Sequence, residues 1–393
     1  MHIVIAAVSS ARQPSGICRH AATLASSLVE MPEVSRVTLL VGEWQQEYFE
    51  NAFGLTGSRL HVVPVAIENN SFARNRWYHR TLSHAARDLK ADVVHLSFPA
   101  PIPRKTFFCP VVGALHDLYP YDAPLNFGYV RVLFNRLFLR QCLRASDTVV
   151  CSSDFTLDRL RHCAPRVASE KAIRIYQSVA LDPSDEKAPS NPHLTAQPFL
   201  LTVAQHRRNK NVGLLLSAFD LLRQRNPASR RLRLLIIGAE GPETRTLRSL
   251  VQRLSLEQLV HFESALSDGE LCCLYRRCEL LIAPSSVEGF CFPVVEALRC
   301  GSRVLCSDIP VLHEVGGGHC RYFSLNVDNP MLALANAIEA ALLEPVPEAH
   351  APDRFSLREM ASHYVALYST LLAGSRQPHP LPGLFSNVDS LRL

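Results

Sequence analysis

Short apolar runs alternate with segments of helical periodicity through the first half of the chain. The runs of strand length fall at residues 2–8, 37–41, 60–65, 93–98, 111–116, 148–152 and 173–179. Helical patterns separate them, and two clear ones cover residues 17–31 and 129–144. Such alternation indicates parallel strands with helices on both faces of the sheet. The pattern therefore predicts the α/β class and a first Rossmann-like domain over residues 1–181.

A polar, proline-rich segment interrupts this pattern at residues 182–198 and predicts an interdomain linker. After it the alternation restarts. Strand-like runs lie at residues 199–203, 232–237, 260–263, 280–283 and 303–306, with helical patterns at 212–225, 244–254, 268–277 and 293–300. A second Rossmann-like domain is therefore predicted over residues 199–355.

The end of the chain follows a different pattern. Apolar residues recur at helical spacing through residues 356–374, and Ser356 is suited to cap that helix. Residues 375–393 contain several prolines and no clear period, which is typical of a surface tail. We therefore expect a terminal helix and a tail after the two domains.

Length and composition agree with a soluble two-domain protein. The chain has 393 residues, 47% of them hydrophobic, which is longer than a typical domain with one hydrophobic core. A net charge of +5 is too small to suggest nucleic acid, although residues 1–181 carry 20 Lys and Arg against 14 Asp and Glu. Twelve cysteines without C-x-x-C pairs indicate buried thiols in a reducing compartment. The N-terminus lacks a signal-peptide pattern and no apolar run reaches about 20 residues, so we expect a cytoplasmic protein.

The segment from Glu288 to Asp308 carries the clearest chemistry. Pro293 is suited to the first position of a helix, and Gly301 to the turn after its end. The backbone amides of residues 290–292 then lie at a helix N-terminus, where unpaired N–H groups and the helix dipole favour an anion such as a pyrophosphate. We therefore predict that Phe290, Cys291 and Phe292 bind a diphosphate.

Two carboxylates flank that helix start. Glu288 precedes it and Glu296 lies one turn inside it. Taken alone, Glu296 fits an acid favoured by the helix dipole and Glu288 a solvated loop residue. The surrounding sequence resembles the donor-site motif of retaining glycosyltransferases of family 4, E-G-F-G-L-P-x-x-E-A-x-x-x-G. The matching residues are Glu288, Gly289, Phe290, Pro293, Glu296, Ala297 and Gly301, whereas Cys291 and Phe292 replace the usual Gly and Leu.

The resemblance implies a fold and an activity. Members have the GT-B fold, in which two Rossmann-like domains face each other across a cleft and a C-terminal helix crosses back to the N-terminal domain. They move a hexose from a nucleotide sugar to an acceptor with retention of configuration and need no enzymic nucleophile. By this resemblance Glu288 binds the sugar hydroxyls and Glu296 the ribose. The implied acceptor is a glycan or a lipid-linked glycan of a cell-surface polysaccharide.

Residues 202–211 follow the first strand of the second domain, where open α/β sheets bind ligands. The family pattern here places basic residues on the donor diphosphate, and Lys210 with Asn211 matches its end. Because Ala204 and Gln205 depart from that pattern, either Arg207 or Arg208 supplies the second positive charge. The alternative is a solvated, charged turn.

Fixed cations meet a concrete chemical need, since a departing nucleoside diphosphate accumulates negative charge. The chain contains no D-x-D pair of the kind that chelates a divalent ion in other glycosyltransferases. We therefore expect no metal and no cofactor, with the nucleotide sugar as a co-substrate.

The first domain offers a glycine and a histidine. Gly16 follows the first strand and could let the backbone approach a phosphate, although it also fits a simple turn residue. His116 and Asp117 end an apolar strand, and the H-D-L-x-P segment resembles that of bacterial members, many of them mannosyltransferases. The resemblance places His116 near the transferred sugar and favours mannose. The alternative is a strand-end histidine capped by Asp117.

Two basic segments lie at residues 72–90 and 131–144. In the second, arginines 136, 140 and 144 recur at i+4 spacing beside several large apolar residues. A basic amphipathic helix can lie on an anionic membrane surface, which would suit a lipid-linked acceptor at the inner membrane face. The other interpretation, a core helix with a solvated face, is the more common one.

Two other functions fit the same architecture. A sugar-nucleotide epimerase or a phosphorylase would use the same cleft, and release of free epimerised sugar or phosphate-dependent cleavage would reveal it. A non-catalytic nucleotide-sugar-binding partner would bind the donor without hydrolysis or transfer.

Overall fold

The computed structural model describes residues 1–12, 15–51, 53–124, 129–264, 266–346, 348–350 and 352–374. Within these ranges the chain forms two parallel β-sheets with helices on their faces. The predicted tail of residues 375–393 lies outside the described residues.

The first sheet has seven parallel strands in the order β3-β2-β1-β4-β5-β6-β7. Their bounds are β1 His2–Ala6, β2 Arg36–Gly42, β3 Leu60–Val65, β4 Val93–Leu96, β5 Val111–Leu115, β6 Thr148–Cys151 and β7 Ala172–Arg174. The central strands are buried on both faces, which explains why they read as unbroken apolar runs. The strand order reverses between β1 and β4, and such a switch point opens a ligand crevice at the carboxyl ends of the strands.

Eight helices accompany this sheet in the described residues. They are α1 Gly16–Val29, α2 Glu43–Asn51, α3 Ser71–Arg80, α4 Leu82–Asp88, α5 Tyr119–Asp122, α6 Tyr129–Ala145, α7 Asp154–Cys163 and α8 Pro165–Lys171. Helix α1 begins where the polar Ser15 side chain accepts a hydrogen bond from the Cys18 amide, as an N-cap should.

The second sheet has six parallel strands in the order β10-β9-β8-β11-β12-β13. Their bounds are β8 Phe199–Val203, β9 Arg233–Ile237, β10 Val260–Glu263, β11 Leu280–Ala283, β12 Val304–Ser307 and β13 Arg321–Phe323. The helices around it are α9 Val212–Arg225, α10 Thr244–Arg253, α11 Asp268–Arg277, α12 Phe292–Arg299, α13 Pro310–Gly316 and α14 Pro330–Leu342. Here the order reverses between β8 and β11, so the second crevice lies at the ends of these two strands.

The last helix, α15 (Leu357–Gly374), returns to the first sheet. Its Met360, Tyr364 and Tyr368 are buried in the core of the first domain, and the Tyr368 hydroxyl lies 2.9 Å from His95 Nδ1 on β4. The predicted α/β class, the two Rossmann-like domains and the helix that crosses back are therefore confirmed.

The predicted strand at residues 173–179 is mostly wrong, because β7 ends at Arg174. The apolar side chains that follow, Tyr176 and Val179, belong to the core of the second domain instead, and the Val179 amide donates to the Phe355 carbonyl. These residues are apolar because they are buried between the domains. Periodicity alone cannot distinguish such a buried run from a strand.

Candidate active site

The conspicuous sequence motifs meet at the switch point of the second sheet. Residues 204–211 leave the carboxyl end of β8, and residues 284–291 leave the carboxyl end of β11. Because β8 and β11 are neighbours in the sheet, these two loops lie side by side. Lys210 and Glu288, 78 positions apart in sequence, therefore come into direct contact.

Glu288 is buried and holds two partners. Its Oε1 lies 2.5 Å from Lys210 Nζ, and its Oε2 accepts a hydrogen bond of 3.3 Å from the Tyr119 hydroxyl. Burial lowers the pKa of Lys210, but the charge of Glu288 and their hydrogen bond more than offset this, so its pKa lies above its usual value. The site therefore keeps a lysine cation and a carboxylate next to each other at the head of the β11 loop.

Asn209 ties this pair to the first domain. Its Nδ2 donates to the Val287 carbonyl at 3.0 Å and to the Tyr119 hydroxyl at 3.3 Å. Tyr119 belongs to α5, directly after the predicted His116 and Asp117. The Glu288 carboxylate thus sits between the two domains, with one oxygen facing each.

The structure distinguishes the two candidate arginines. Arg208 is exposed, whereas Arg207 is partly buried and its charge acts on both Lys210 and Asp117. Burial raises the pKa of Asp117 to about 6, and the nearby Arg207 opposes that shift. Of the two, Arg207 is therefore the cation that lies with Lys210 in the cleft.

The start of α12 has the geometry that the sequence predicts for an anion site. Cys291 is the N-cap with φ of +77°, in the left-handed region, and its side chain does not cap the helix. A left-handed residue turns successive amides toward one side, which is the concave arrangement that binds anions. Phe290 is buried, and the ring of Phe292 lies against Gly16 of the first domain, 3.9 Å from where a Cβ would stand.

Glu296 lies deeper, on the same helix. Its Oε2 accepts a hydrogen bond of 2.7 Å from the Tyr275 hydroxyl of α11. Burial raises the pKa of Glu296, while the charge of Arg19 and the Tyr275 hydrogen bond act in the opposite direction. Glu288 and Glu296 therefore lie on either side of the start of α12, each near a cation of its own, Lys210 for Glu288 and Arg19 for Glu296.

His116 lies at the end of β5 beside the cleft, with both ring nitrogens engaged in the first domain. Its Nε2 donates to the Ser97 carbonyl at 2.7 Å, and Gln177 Nε2 lies 2.8 Å from its Nδ1. The ring of His20 packs edge-on against it at 4.7 Å between centroids. Burial lowers the pKa of His116, so the ring is neutral. Its contact with a sugar stays a prediction.

The two domains touch at Gly289. Its carbonyl accepts hydrogen bonds from three hydroxyls of the first domain, those of Ser152 (3.2 Å), Ser153 (2.7 Å) and Thr156 (3.3 Å). A Cβ on Gly289 would stand only 1.8 Å from the His116 carbonyl oxygen, so no other residue fits without displacing one domain.

Next to Glu288 the cleft widens into a cavity of about 380 Å³. The first domain lines it with Tyr121, Asp122, Phe155 and Arg159, and the second with residues 286–288, Ile309 and Pro310. Arg159 holds the Asp122 carboxylate through two nitrogens, which fixes both charged groups at the rim. The cavity can therefore accept a polar molecule beside the Glu288 carboxylate.

Sequence reasoning missed several residues of this cleft. Arg19, Gln177 and Tyr275 lie outside the motifs, Tyr119 occupies the variable position of the H-D-L-x-P segment, and each of the four reaches the site from a separate element. Only Tyr119 carried a usable signal, because it follows a strand-end histidine on the side where ligands bind.

In the described ranges, no group of three or more His, Cys, Asp or Glu side chains is arranged to hold a metal ion. No helix in that part of the chain is both long and apolar enough to cross a membrane. The expected independence of metals stays a prediction.

Two models of known protein families match this chain, one over each domain. Residues 14–182 match the model of "Glycosyltransferase Family 4", and residues 183–356 match that of "Glycosyl transferases group 1". Together the two matches cover both domains. The chain belongs to glycosyltransferase family 4.

Individual relatives are distant. The chain is 26% identical over 250 residues to an O-antigen chain mannosyltransferase B of Escherichia coli, covering 61% of this chain and 62% of the relative. It is 28% identical over 202 residues to the O-antigen chain mannosyltransferase RfbU of Salmonella typhimurium, covering 51% of this chain and 53% of the relative. The chain thus spans less than two thirds of the length of these relatives.

Solved structures share the fold at low identity. A sucrose-phosphate synthase of Thermosynechococcus elongatus superposes with a TM-score of 0.71 at 16% identity, over 95% of this chain and all of that one. HepE of Anabaena, in complex with UDP and glucose, superposes with a TM-score of 0.68 at 17% identity, over 94% of this chain and all of that one. These similarities establish the GT-B fold.

Proposed function

We propose that this protein is a retaining glycosyltransferase that moves a hexose from a nucleotide sugar to an acceptor hydroxyl. One observation carries the proposal: Glu288 and Lys210 meet between the domains, beside the N-terminus of α12. A carboxylate suits sugar hydroxyls, and a neighbouring cation with helix-end amides suits a diphosphate. This is the pair of contacts that a nucleotide sugar needs at its reactive bond.

The leaving group would be stabilised from three directions. Lys210 and Arg207 supply positive charge, and the amides of residues 290–292 supply hydrogen-bond donors. When the diphosphate binds, Lys210 would exchange part of its contact with Glu288 for phosphate oxygens. Gly16, across the cleft at Phe292, leaves room for the phosphates to approach the backbone.

Retention of configuration is what the family resemblance implies for the reaction. The bond between the anomeric carbon and the phosphate oxygen breaks, and the acceptor oxygen forms the new bond on the same face. The acceptor's proton goes to the departing phosphate oxygen, so no enzymic nucleophile is required. In this scheme Glu288 binds and orients the hexose, His116 helps to bind it by exchanging one of its present ring contacts for a sugar hydroxyl, and Glu296 binds the ribose. No metal or cofactor takes part.

The substrate class is suggested by the relatives. Two relatives named as mannosyltransferases of O-antigen chains support mannose as the hexose and a polysaccharide as the product. The acceptor is then a growing glycan or its lipid-linked form, and the protein works on the cytoplasmic side of the membrane. The cavity beside Glu288 is the natural place for the acceptor's terminal sugar.

A lipid-linked acceptor also suits one face of the first domain. Leu133, Phe134 and Leu137 of α6 are each more than half exposed, on a helix that has four arginines and no acidic residue. Phe72 on α3 is also exposed, and Arg74 of α3 lies close enough to Arg131 for the two charges to interact. Apolar side chains among arginines fit an anionic lipid surface.

Sedimentation with vesicles tests this face. Binding to phosphatidylglycerol vesicles, absent with phosphatidylcholine and lost on replacing Leu133, Phe134 and Leu137 by Gln, supports it. Equal recovery with both lipids contradicts it.

Calorimetric titration of nucleoside diphosphates tests the proposed function. GDP, UDP, ADP and dTDP are compared with their nucleosides, in excess EDTA. Lys210→Ala should weaken the best diphosphate by roughly tenfold or more and the nucleoside little, because a hydrogen bond between charged groups contributes about 1.5–3 kcal/mol. Arg207→Ala should weaken the diphosphate more than Arg208→Ala does. Lys105→Ala, an exposed lysine of the first domain, is the matched control.

Two results would contradict the proposal. If none of the four diphosphates binds, the cleft is not a nucleotide-binding site. Equal weakening of diphosphate and nucleoside by Lys210→Ala would show that Lys210 does not contact phosphate.

A further inference from the structure

An ion pair crosses between the domains at the start of α11. Arg19 lies in the first turn of α1, and its Nη1 is 2.5 Å from Oδ1 of Asp268, the first residue of α11. The two side chains are 27% and 38% exposed. A pair so accessible to solvent adds little stability by itself. Its significance therefore depends on what else the arginine reaches.

The Arg19 guanidinium lies within electrostatic reach of Glu296 and Tyr275. Burial lowers the pKa of Arg19, yet the charge of Glu296, followed by that of Asp268, raises it above its usual value. The interaction is mutual, since the charge of Arg19 is the strongest of the influences that oppose the upward effect of burial on the pKa of Glu296. The first domain thus contributes a cation to a carboxylate of the second.

Helix α11 joins these groups into one unit. It carries Asp268, which holds Arg19, and Tyr275, whose hydroxyl donates to Glu296 at 2.7 Å. The helix start is fixed by Glu270, which accepts hydrogen bonds from Ser190 of the linker and from Ser267. Arg19 therefore contacts a helix whose start is capped and whose Tyr275 holds Glu296.

We propose that Arg19 is a positioning residue that links closure of the domains to recognition of the donor ribose through Glu296. Held by Asp268 at the start of α11, the guanidinium sets the position of the helix whose Tyr275 holds the Glu296 carboxylate, so that the carboxylate accepts hydrogen bonds from the ribose hydroxyls. The inference rests on the proposed function, because it takes the ligand of Glu296 to be the ribose of a nucleotide. It adds a residue of the first domain to a contact made by the second.

A double-difference binding experiment tests the link. The best-binding diphosphate of the four is titrated against wild type and Arg19→Ala, each with the ribonucleotide and with its 2′-deoxy form. Wild type should prefer the ribonucleotide by about tenfold, the value of one hydrogen bond to a charged group. In Arg19→Ala that preference should fall to roughly twofold, because Glu296 no longer presents its carboxylate correctly. Arg19→Lys keeps the charge and should retain most of the preference.

The control is Arg161→Ala, which removes a comparable arginine from an exposed pair with Asp158 on α7. It should leave the preference unchanged. A thermal melt of each variant establishes that it is folded.

The outcomes separate the inference from the proposed function. A folded Arg19→Ala variant that binds both nucleotides more weakly but keeps the tenfold preference overturns the inference, since Arg19 would then only hold the domains together. Loss of the preference in Arg19→Lys as well as in Arg19→Ala also overturns it. If wild type binds none of the diphosphates, the proposed function fails first.

Discussion

The two walls of the cleft are built in different ways. The second domain presents Lys210, Glu288 and Glu296 from two stretches of sequence at a single switch point. The first domain presents Arg19, His116 and Tyr119, together with the hydroxyls of residues 152–156, from separate elements. The residues of the second wall come from short stretches of sequence, whereas those of the first wall are far apart in sequence and come together only in the folded chain.

This difference assigns different tasks to the walls. Lys210 and Glu288 contact each other within the second domain, so under the proposed function their hold on the diphosphate and the sugar does not require closure of the cleft, whereas the ribose contact of Glu296 does. Residues of the first wall act on the second domain only where the two domains meet, as they do at Gly289. Substitutions in the second wall should therefore impair binding and transfer together, whereas those in the first should impair mainly the closed state.

Removing Glu288 should have the largest effect. Glu288→Ala deletes the carboxylate between Lys210 and Tyr119, and transfer from a nucleotide sugar should fall by at least about 10²-fold. The fold should persist because the residue belongs to a loop rather than to a packed core. Product formation and a thermal melt are measured beside Glu257→Ala, an exposed glutamate of the same domain. Turnover near that of wild type would remove Glu288 from the site.

Blocking the interface is the next strongest perturbation. A methyl group at Gly289 would overlap the His116 carbonyl, so Gly289→Ala should hold the domains apart. We expect transfer to fall roughly tenfold or more while the affinity for the nucleoside diphosphate changes little, since displacement of about 1 Å is costly for a reaction in a closed site. Gly318→Ala, which has open space around it, is the control. Parallel loss of binding and transfer would show that the walls do not divide these tasks.

The buried histidines of the first domain should make it sensitive to acid. Burial, aided by His116, lowers the pKa of His95 to about 3, against about 6.5 in the unfolded chain. A lowered pKa contributes stability above pH 6.5 that is lost as the pH falls toward 3. Between pH 7 and 5 the free energy of unfolding should decrease by about 2 kcal/mol for this residue alone.

Tryptophan fluorescence reports this loss, because Trp44 and Trp77, the two tryptophans of the chain, lie in the first domain. In His95→Gln the melting temperature should depend less steeply on pH. An unchanged dependence would show that His95 does not control the acid response.

The smallest effect concerns the strained N-cap of α12. Cys291 has φ of +77°, where an L-residue costs about 1–2 kcal/mol and glycine little. Cys291→Gly should therefore be more stable than Cys291→Ala by about 1 kcal/mol, the reverse of the usual order. At Cys273, inside α11, the alanine variant should be the more stable one. Urea unfolding measures both pairs, and the same order at both positions would contradict the strain.

The sequence predicted the second wall better than the first for a physical reason. One loop and one helix hold Glu288, Cys291 and Glu296, so the positions of these residues in space can be predicted from their spacing in the sequence. The contacts of Tyr119 and Arg19 depend on how two domains meet, which no local pattern encodes. The prediction of a strand at residues 173–179 was wrong for a similar reason, because its apolar residues are buried at the domain interface and in the core of the second domain.

Within the motif, even the departures from the family pattern carry information. The family's glycine at position 291 suits the left-handed conformation, and the cysteine here adopts it regardless. The sequence could not distinguish Arg207 from Arg208, because the two residues are adjacent and chemically identical. The structure distinguishes them, since Arg207 is partly buried near Lys210 and Arg208 is exposed.

We propose that the cleft transfers a hexose with retention and without metal. Proton NMR tests it directly: the protein is mixed with an α-linked nucleotide sugar in excess EDTA, with a methyl glycoside as acceptor, and the anomeric signals are followed from the first turnover. We predict release of nucleoside diphosphate together with an α-linked product. A β-linked product, or activity that appears only after Mg²⁺ or Mn²⁺ is restored, would contradict the account.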